Sequence, residues 1–202
     1  MDTLARITET RLIPMLSPKK PELTLPLLAA LCSGGISAAE FSMEVPFTPD
    51  AISSGSRLFP DLVLGAGAVT SLSLARTAIS AGARYISSPG YSKKMAELCK
   101  EHGILYLPQC TTLSELLAAA QNGLSGAGLF APHLWASDEM LKEFTAAFPK
   151  LTILACRIPH SEAPHLLSLP RIAACTLTGL NAESPEALAD HCRQLTSRLE
   201  HA

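Results

Sequence analysis

Eight short apolar runs recur along the chain, each followed by a segment with helical punctuation, at intervals of roughly 20–25 residues. The runs cover 12–16, 38–43, 62–64, 84–86, 104–107, 128–130, 151–155 and 172–177. They are too short for packed helices and suit strands buried on both faces. Thr48-Pro49 and Ser184-Pro185 each read as an N-cap followed by proline in the first helical turn. Thr112 and Glu115 have the spacing of a capping box, and Ser92 is placed to cap a further helix. Gly34, Gly82, Gly103 and Gly123 fall just past helical patterns, where a left-handed residue ends the helix. Met140, Leu141, Phe144 and Phe148 mark one apolar helical stripe; Leu188, Cys192, Leu195 and Leu199 mark another. Strands alternating with helices pair in parallel through right-handed crossovers, and eight such units close on themselves. The expected fold is therefore α/β, one (β/α)8 TIM barrel domain over residues 1–202.

Composition narrows the function. With 48% hydrophobic but only 5% aromatic residues, the core must be aliphatic. Sixteen basic residues face 18 acidic ones, for a net charge of −2. The Lys19–Lys20 and Lys93–Lys94 doublets make no basic stripe, so nucleic acid is not an expected partner. The cysteines at 32, 99, 110, 156, 175 and 192 form no C-x-x-C pair and read as small apolar fillers kept reduced. The N-terminus lacks an apolar signal region, and the run 23–31 contains Pro26 and is too short to cross a bilayer. A cytoplasmic protein with no membrane partner is expected.

A barrel of this type does its chemistry at the carboxyl ends of its strands. Those ends fall at 17–20, 40–44, 65–69, 87–90, 108–110, 130–133, 156–160 and 176–181. Several carry recognisable phrases, among them Ser33-Gly34-Gly35-Ile36 leading to Ala39-Glu40-Phe41, and Leu64-Gly65-Ala66-Gly67-Ala68-Val69. Ala81-Gly82-Ala83 leading to Ser87-Ser88-Pro89-Gly90 is a third; Tyr106-Leu107-Pro108 with Thr111 to Glu115, and Gly128-Leu129-Phe130-Ala131-Pro132, follow in order. Together they resemble the 2-keto-3-deoxy-6-phosphogluconate (KDPG) and 4-hydroxy-2-oxoglutarate (KHG) aldolases, a class I aldolase family. The resemblance runs from about Arg11 to about Phe148 and thins beyond.

The resemblance implies a lyase that cleaves a 2-oxo acid to release pyruvate, through an imine on a lysine with a glutamate moving protons. It implies a small-molecule 2-oxo acid or other small anion as partner, a homotrimer, and no cofactor or metal. Glu40 matches the glutamate. Lys19, Gly65, Gly67, Pro89, Pro108 and Phe130 fall at the family's substrate-binding positions, and Gly179 at its phosphate site. The lysine does not carry over, because Gly128 stands in its place. Glu44 replaces the family's arginine, Ala68 its carboxylate-binding threonine, and Arg157-Ile158-Pro159-His160 its glycine-rich seventh-strand turn.

Three readings follow. The first is a divergent family member unable to cleave through an imine. The second is an active lyase in which Glu40 works with a metal or with a relocated Lys19 or Lys20. For the metal, Glu40, Glu44, His133 and His160 are the candidate donors, though they show no ligand spacing. The third is a non-catalytic trimeric binding or interaction protein, with Trp135 at the mouth or an interface. Asn181 and Ser184 are further candidates for holding an anion, Arg157 a candidate to compensate the charge lost at Glu44, and His102, His165, His191 and His201 read as surface histidines.

Overall fold

The computed structural model describes residues 2–134, 136–180 and 184–200. Trp135, Asn181 and His201 lie outside them. Eight parallel strands close a barrel in chain order: β1 (Leu12–Leu16), β2 (Ala38–Ser42), β3 (Val63–Gly67), β4 (Tyr85–Pro89), β5 (Leu105–Cys110), β6 (Gly126–Phe130), β7 (Thr152–Pro159) and β8 (Ile172–Thr178). The eighth strand returns to the first, with Leu12 opposite Cys175 and Pro14 opposite Leu177. The helices are α1 (Thr3–Glu9), α2 (Thr24–Ser33), α3 (Thr48–Leu58), α4 (Leu72–Ser80), α5 (Lys93–Glu101), α6 (Leu113–Gln121), α7 (Asp138–Ala146), α8 (Ala163–Ser168) and α9 (Pro185–Glu200). Each apolar run identified from sequence became a strand.

Strand alternation splits the apolar residues into two cores. Ala39, Phe41, Leu64, Ile86, Tyr106 and Leu129 face outward and pack under the helices. Ile13, Ala38, Val63, Tyr85, Leu107, Leu154 and Ala174 face inward, and α1 closes that end with Leu4 and Ile7. The inner core thus sits at the amino end of the strands and leaves the carboxyl end to other residues.

Local chemistry explains most helix boundaries. Thr112 and Glu115 make the capping box, the carboxylate accepting from the Thr112 N–H at 3.1 Å. Ser92 and Ser184 accept from the N–H groups of Met95 and Ala187. Three expectations need correction. Thr48 does not cap α3; its hydroxyl donates to the Ser42 carbonyl at 2.6 Å and ties α3 back to β2. The left-handed residue after α2 is Gly35 (φ +78°), while Gly34 is confined by Cys192 packed against it. On α7, Met140 is exposed and the buried stripe runs instead through Leu141 and Thr145, whose hydroxyl donates to the Leu141 carbonyl.

Candidate active site

The inward positions change character two residues further along five of the strands. Ala38 gives way to Glu40 on β2, Tyr85 to Ser87 on β4, Leu107 to Gln109 on β5, Leu154 to Cys156 on β7 and Ala174 to Thr176 on β8. Glu40 is 1% exposed, and neither carboxylate oxygen has a hydrogen-bond partner of good geometry among the described residues. Glycines on β3 make room for this layer: a Cβ at Gly67 would overlap Glu40 Oε1, and one at Gly65 would overlap the Tyr85 ring. Tyr85 in turn donates to the Ala39 carbonyl at 3.3 Å, steadying the strand that carries Glu40.

Burial pushes the Glu40 carboxyl up to about 7. The Arg157 guanidinium and the nearby Ser87 hydroxyl pull it down, but by less. Ser87 Oγ is itself held as acceptor by Gln109 Nε2 at 2.8 Å. The result is a carboxyl poised near neutrality, where a group can both take and return a proton.

Gly128 sits opposite Gln109 on β5 and Leu154 on β7. A Cβ there would collide with Cys156 Sγ and approach Gln109 Cγ to 3.6 Å. The space a longer side chain would leave by is therefore filled by its neighbours. Burial holds the Cys156 thiol far above its ordinary value, as does the adjacent Glu40, so it is a neutral filler and no thiolate nucleophile.

Arg157 arrives at the mouth through a bulge. Ala155 pairs with Cys175 and Ile158 with Leu177, so β7 carries one residue more than β8 over this stretch. The extra residue reverses the alternation: Cys156 faces inward, and Ile158 already belongs to the outer core. Arg157 has φ +59°, and its N–H donates to Thr176 Oγ1 at 2.8 Å. Its guanidinium lies 5.8 Å from the centroid of the Phe130 ring and forms no ion pair among the described residues.

Other residues singled out from sequence are dispersed. Lys19 and Lys20 are exposed and unpaired among the described residues, and no contact joins them to Glu40. Pro89 lies exposed at the rim. Pro108, expected to bind substrate, falls at an outward position between Leu107 and Gln109; Gln109 is the pocket residue, and counting alternation from Leu107 finds it. Gly179 adopts φ +76° at the end of β8, where a Cβ would stand 3.9 Å from His160 Nδ1. His191 is not a free surface residue but packs edge-on against His160, their centroids 4.3 Å apart. Glu40, Glu44, His133 and His160 do not converge, since no group of three or more such donors assembles among the described residues. A surface groove of about 470 Å³ lined by Lys93, Lys100, Tyr106 and Asn122 shares no residue with the Glu40 site.

A closed eight-stranded barrel with a buried glutamate on its second strand narrows the relatives, and comparison with family models decides among them. The KDPG and KHG aldolase model matches residues 4–189, well beyond the stretch where the resemblance was legible. The chain belongs to that family. It is 26% identical to a 2-dehydro-3-deoxy-phosphogluconate aldolase of Treponema pallidum over 84% of this chain and 81% of the relative. A second such aldolase, from Pseudomonas aeruginosa, is 28% identical over 75% of this chain and 68% of its own length. The crystal structure of a 4-hydroxy-2-oxoglutarate/2-dehydro-3-deoxyphosphogluconate aldolase from TTHB1 superposes with a TM-score of 0.90 at 30% identity, covering 98% of this chain and 99% of that one. The Legionella pneumophila KDPG aldolase, in which pyruvate was captured as a covalent carbinolamine, gives 0.84 at 26% identity over 100% and 98%. No helix among the described residues is long and apolar enough to cross a membrane.

Proposed function

We propose that this chain is an imine-free member of the KDPG/KHG aldolase family, binding a small 2-oxo acid at the barrel mouth and moving a proton on it with Glu40. The observation that carries the reading is Glu40 itself: a fully buried carboxyl, poised near pH 7, with both oxygens unpartnered. An unpaired buried polar group of this kind is costly to keep and is found where a ligand completes it. The family's covalent route is not available at the sixth strand, because glycine has no amine and Cys156 occupies the adjoining space.

In this reading Glu40 takes a proton from the carbon beside the ketone. The C–H electron pair becomes the C=C bond of an enolate, and the former carbonyl electrons move onto oxygen. Gln109 Nε2 carries two N–H groups and gives one to Ser87; the other faces the developing charge as a neutral donor. Returning the proton from Glu40 to carbon regenerates the acid. The cycle needs no covalent bond to the protein.

The test is exchange of the pyruvate methyl protons in D2O, followed by proton NMR, alongside borohydride treatment and intact mass. Wild type is expected to exchange the methyl group and to gain no mass. Glu40→Gln is expected to lower the rate by about 100-fold or more, the usual weight of a general base. Exchange unaffected by Glu40→Gln, no exchange at all, or a borohydride-stable adduct on Lys19, Lys20 or another lysine would each overturn the reading.

A further inference from the structure

The structure assigns Arg157 as the group that reads the ligand's carboxylate, which makes the site selective for a short, unphosphorylated 2-oxo acid. This rests on the reading of Glu40 given above for where the reacting carbon lies, but Arg157 is argued from separate observations. A non-glycine residue at φ +59° is strained and persists only when its surroundings impose it. Here the imposing feature is the β7 bulge, which withdraws Ile158 into the outer core and presents the arginine at the mouth. The backbone of Arg157 is held by Thr176 Oγ1, and its side chain is exposed at the mouth with the guanidinium 5.8 Å from the Phe130 ring centroid.

What it is positioned for follows from its partners. The guanidinium acts electrostatically on Glu40 but stands off from it, and no other carboxylate among the described residues pairs with it. An arginine held at its backbone and without its own anion is suited to a carboxylate arriving from solution, which it can grip through two parallel N–H groups. The 2-oxo acid of the proposed reading can place its carboxylate on Arg157 while its acidic C–H faces Glu40. Glu44 and Ala68 offer no competing cation or hydroxyl donor for that carboxylate.

The same strand end argues against a phosphate. Binding one there calls for several free backbone N–H groups. The Arg157 N–H is taken by Thr176 Oγ1, and Pro159 has none. Beside it, burial and the neighbouring His160 and Arg198 hold the His191 imidazole below its ordinary value, toward the neutral form.

The experiment measures binding of pyruvate, its neutral analogue pyruvamide, and inorganic phosphate to wild type, Arg157→Gly and Arg157→Lys by calorimetry. Glycine accepts the left-handed backbone, so Arg157→Gly is expected to fold, with circular dichroism as the check; Arg157→Lys keeps the charge should it not. Wild type is expected to prefer pyruvate over pyruvamide by about 10-fold or more, with phosphate weaker than pyruvate. Arg157→Gly is expected to lose about 10- to 100-fold for pyruvate and nothing for pyruvamide, and Arg157→Lys to recover part. The assignment is overturned if wild type shows no such preference, including by binding neither ligand, if Arg157→Gly retains it, or if phosphate binds more tightly. The two readings separate cleanly: loss of carboxylate preference in Arg157→Gly with exchange indifferent to Glu40→Gln removes Glu40 and keeps Arg157. Glu40-dependent exchange with preference intact in Arg157→Gly does the reverse.

Discussion

The two ends of the barrel interior are built from the same strands and differ in kind. At the amino end Ile13, Ala38, Val63, Tyr85, Leu107, Leu154 and Ala174 close around Leu4 and Ile7, apolar and buried. One inward step further along, Glu40, Ser87, Gln109, Cys156 and Thr176 form a polar layer with fewer hydrogen bonds than its groups can make. The first layer gains stability from every contact; the second gives up stability to hold groups ready for something else. Truncation should break the symmetry between them. Ile13→Ala is expected to cost about 2–5 kcal/mol in urea unfolding, since it deletes fully buried methyl groups and leaves a cavity. A cost below about 1 kcal/mol would mean that the amino-end layer is not the stabilising half.

At the polar end the sign reverses, and it does so with pH. The folded state holds the Glu40 carboxyl at about 7, against an ordinary value of 4.5, so it binds a proton more tightly than the unfolded chain does. The associated stability is complete below about pH 4.5 and is lost as pH rises to about 7, after which this group contributes no further change. Glu40→Gln cannot ionise. Relative to wild type it should gain about 2–3 kcal/mol of stability on going from pH 4.5 to pH 8, read from paired urea curves. A difference independent of pH would show that the carboxylate is compensated in the folded protein, and the contrast between the two layers would fall with it.

Much of this was legible in the sequence, and the exceptions share a cause. The strands were visible because parallel strands buried on both faces are short unbroken apolar runs, and Glu40 because the Ala39-Glu40-Phe41 phrase resembles the family's. Pro108 was named and Gln109 was not, because a motif names residues without saying which face they occupy, whereas alternation along β5 puts Gln109 on the same face as Leu107. Arg157 was placed near the right loop, but the bulge that delivers it depends on how β7 pairs with β8, which no local pattern encodes. Lys19, which satisfied the motif position, lies exposed in the loop after β1. Local periodicity thus reveals the elements, while the pocket depends on pairings between strands distant in sequence.

Gly128 is the point where that lesson bears on chemistry. Its absent side chain could be read as one missing group in an otherwise prepared site, to be repaired by restoring it. The packing says otherwise, because Cys156 Sγ fills the place where a Cβ would go. Gly128→Ala alone is therefore expected to cost about 1–3 kcal/mol from overpacking, although alanine normally stabilises a strand relative to glycine. Removing the sulfur should relieve it, because the Cys156 Cβ itself would stand at an ordinary 3.5 Å from the new methyl. The double variant Gly128→Ala with Cys156→Ala should then be more stable than the sum of the single effects allows, by about 0.5–1.5 kcal/mol in a double-mutant cycle. Simple additivity would mean that the two positions are independent, and that the sixth strand still has room for the longer side chain it lacks.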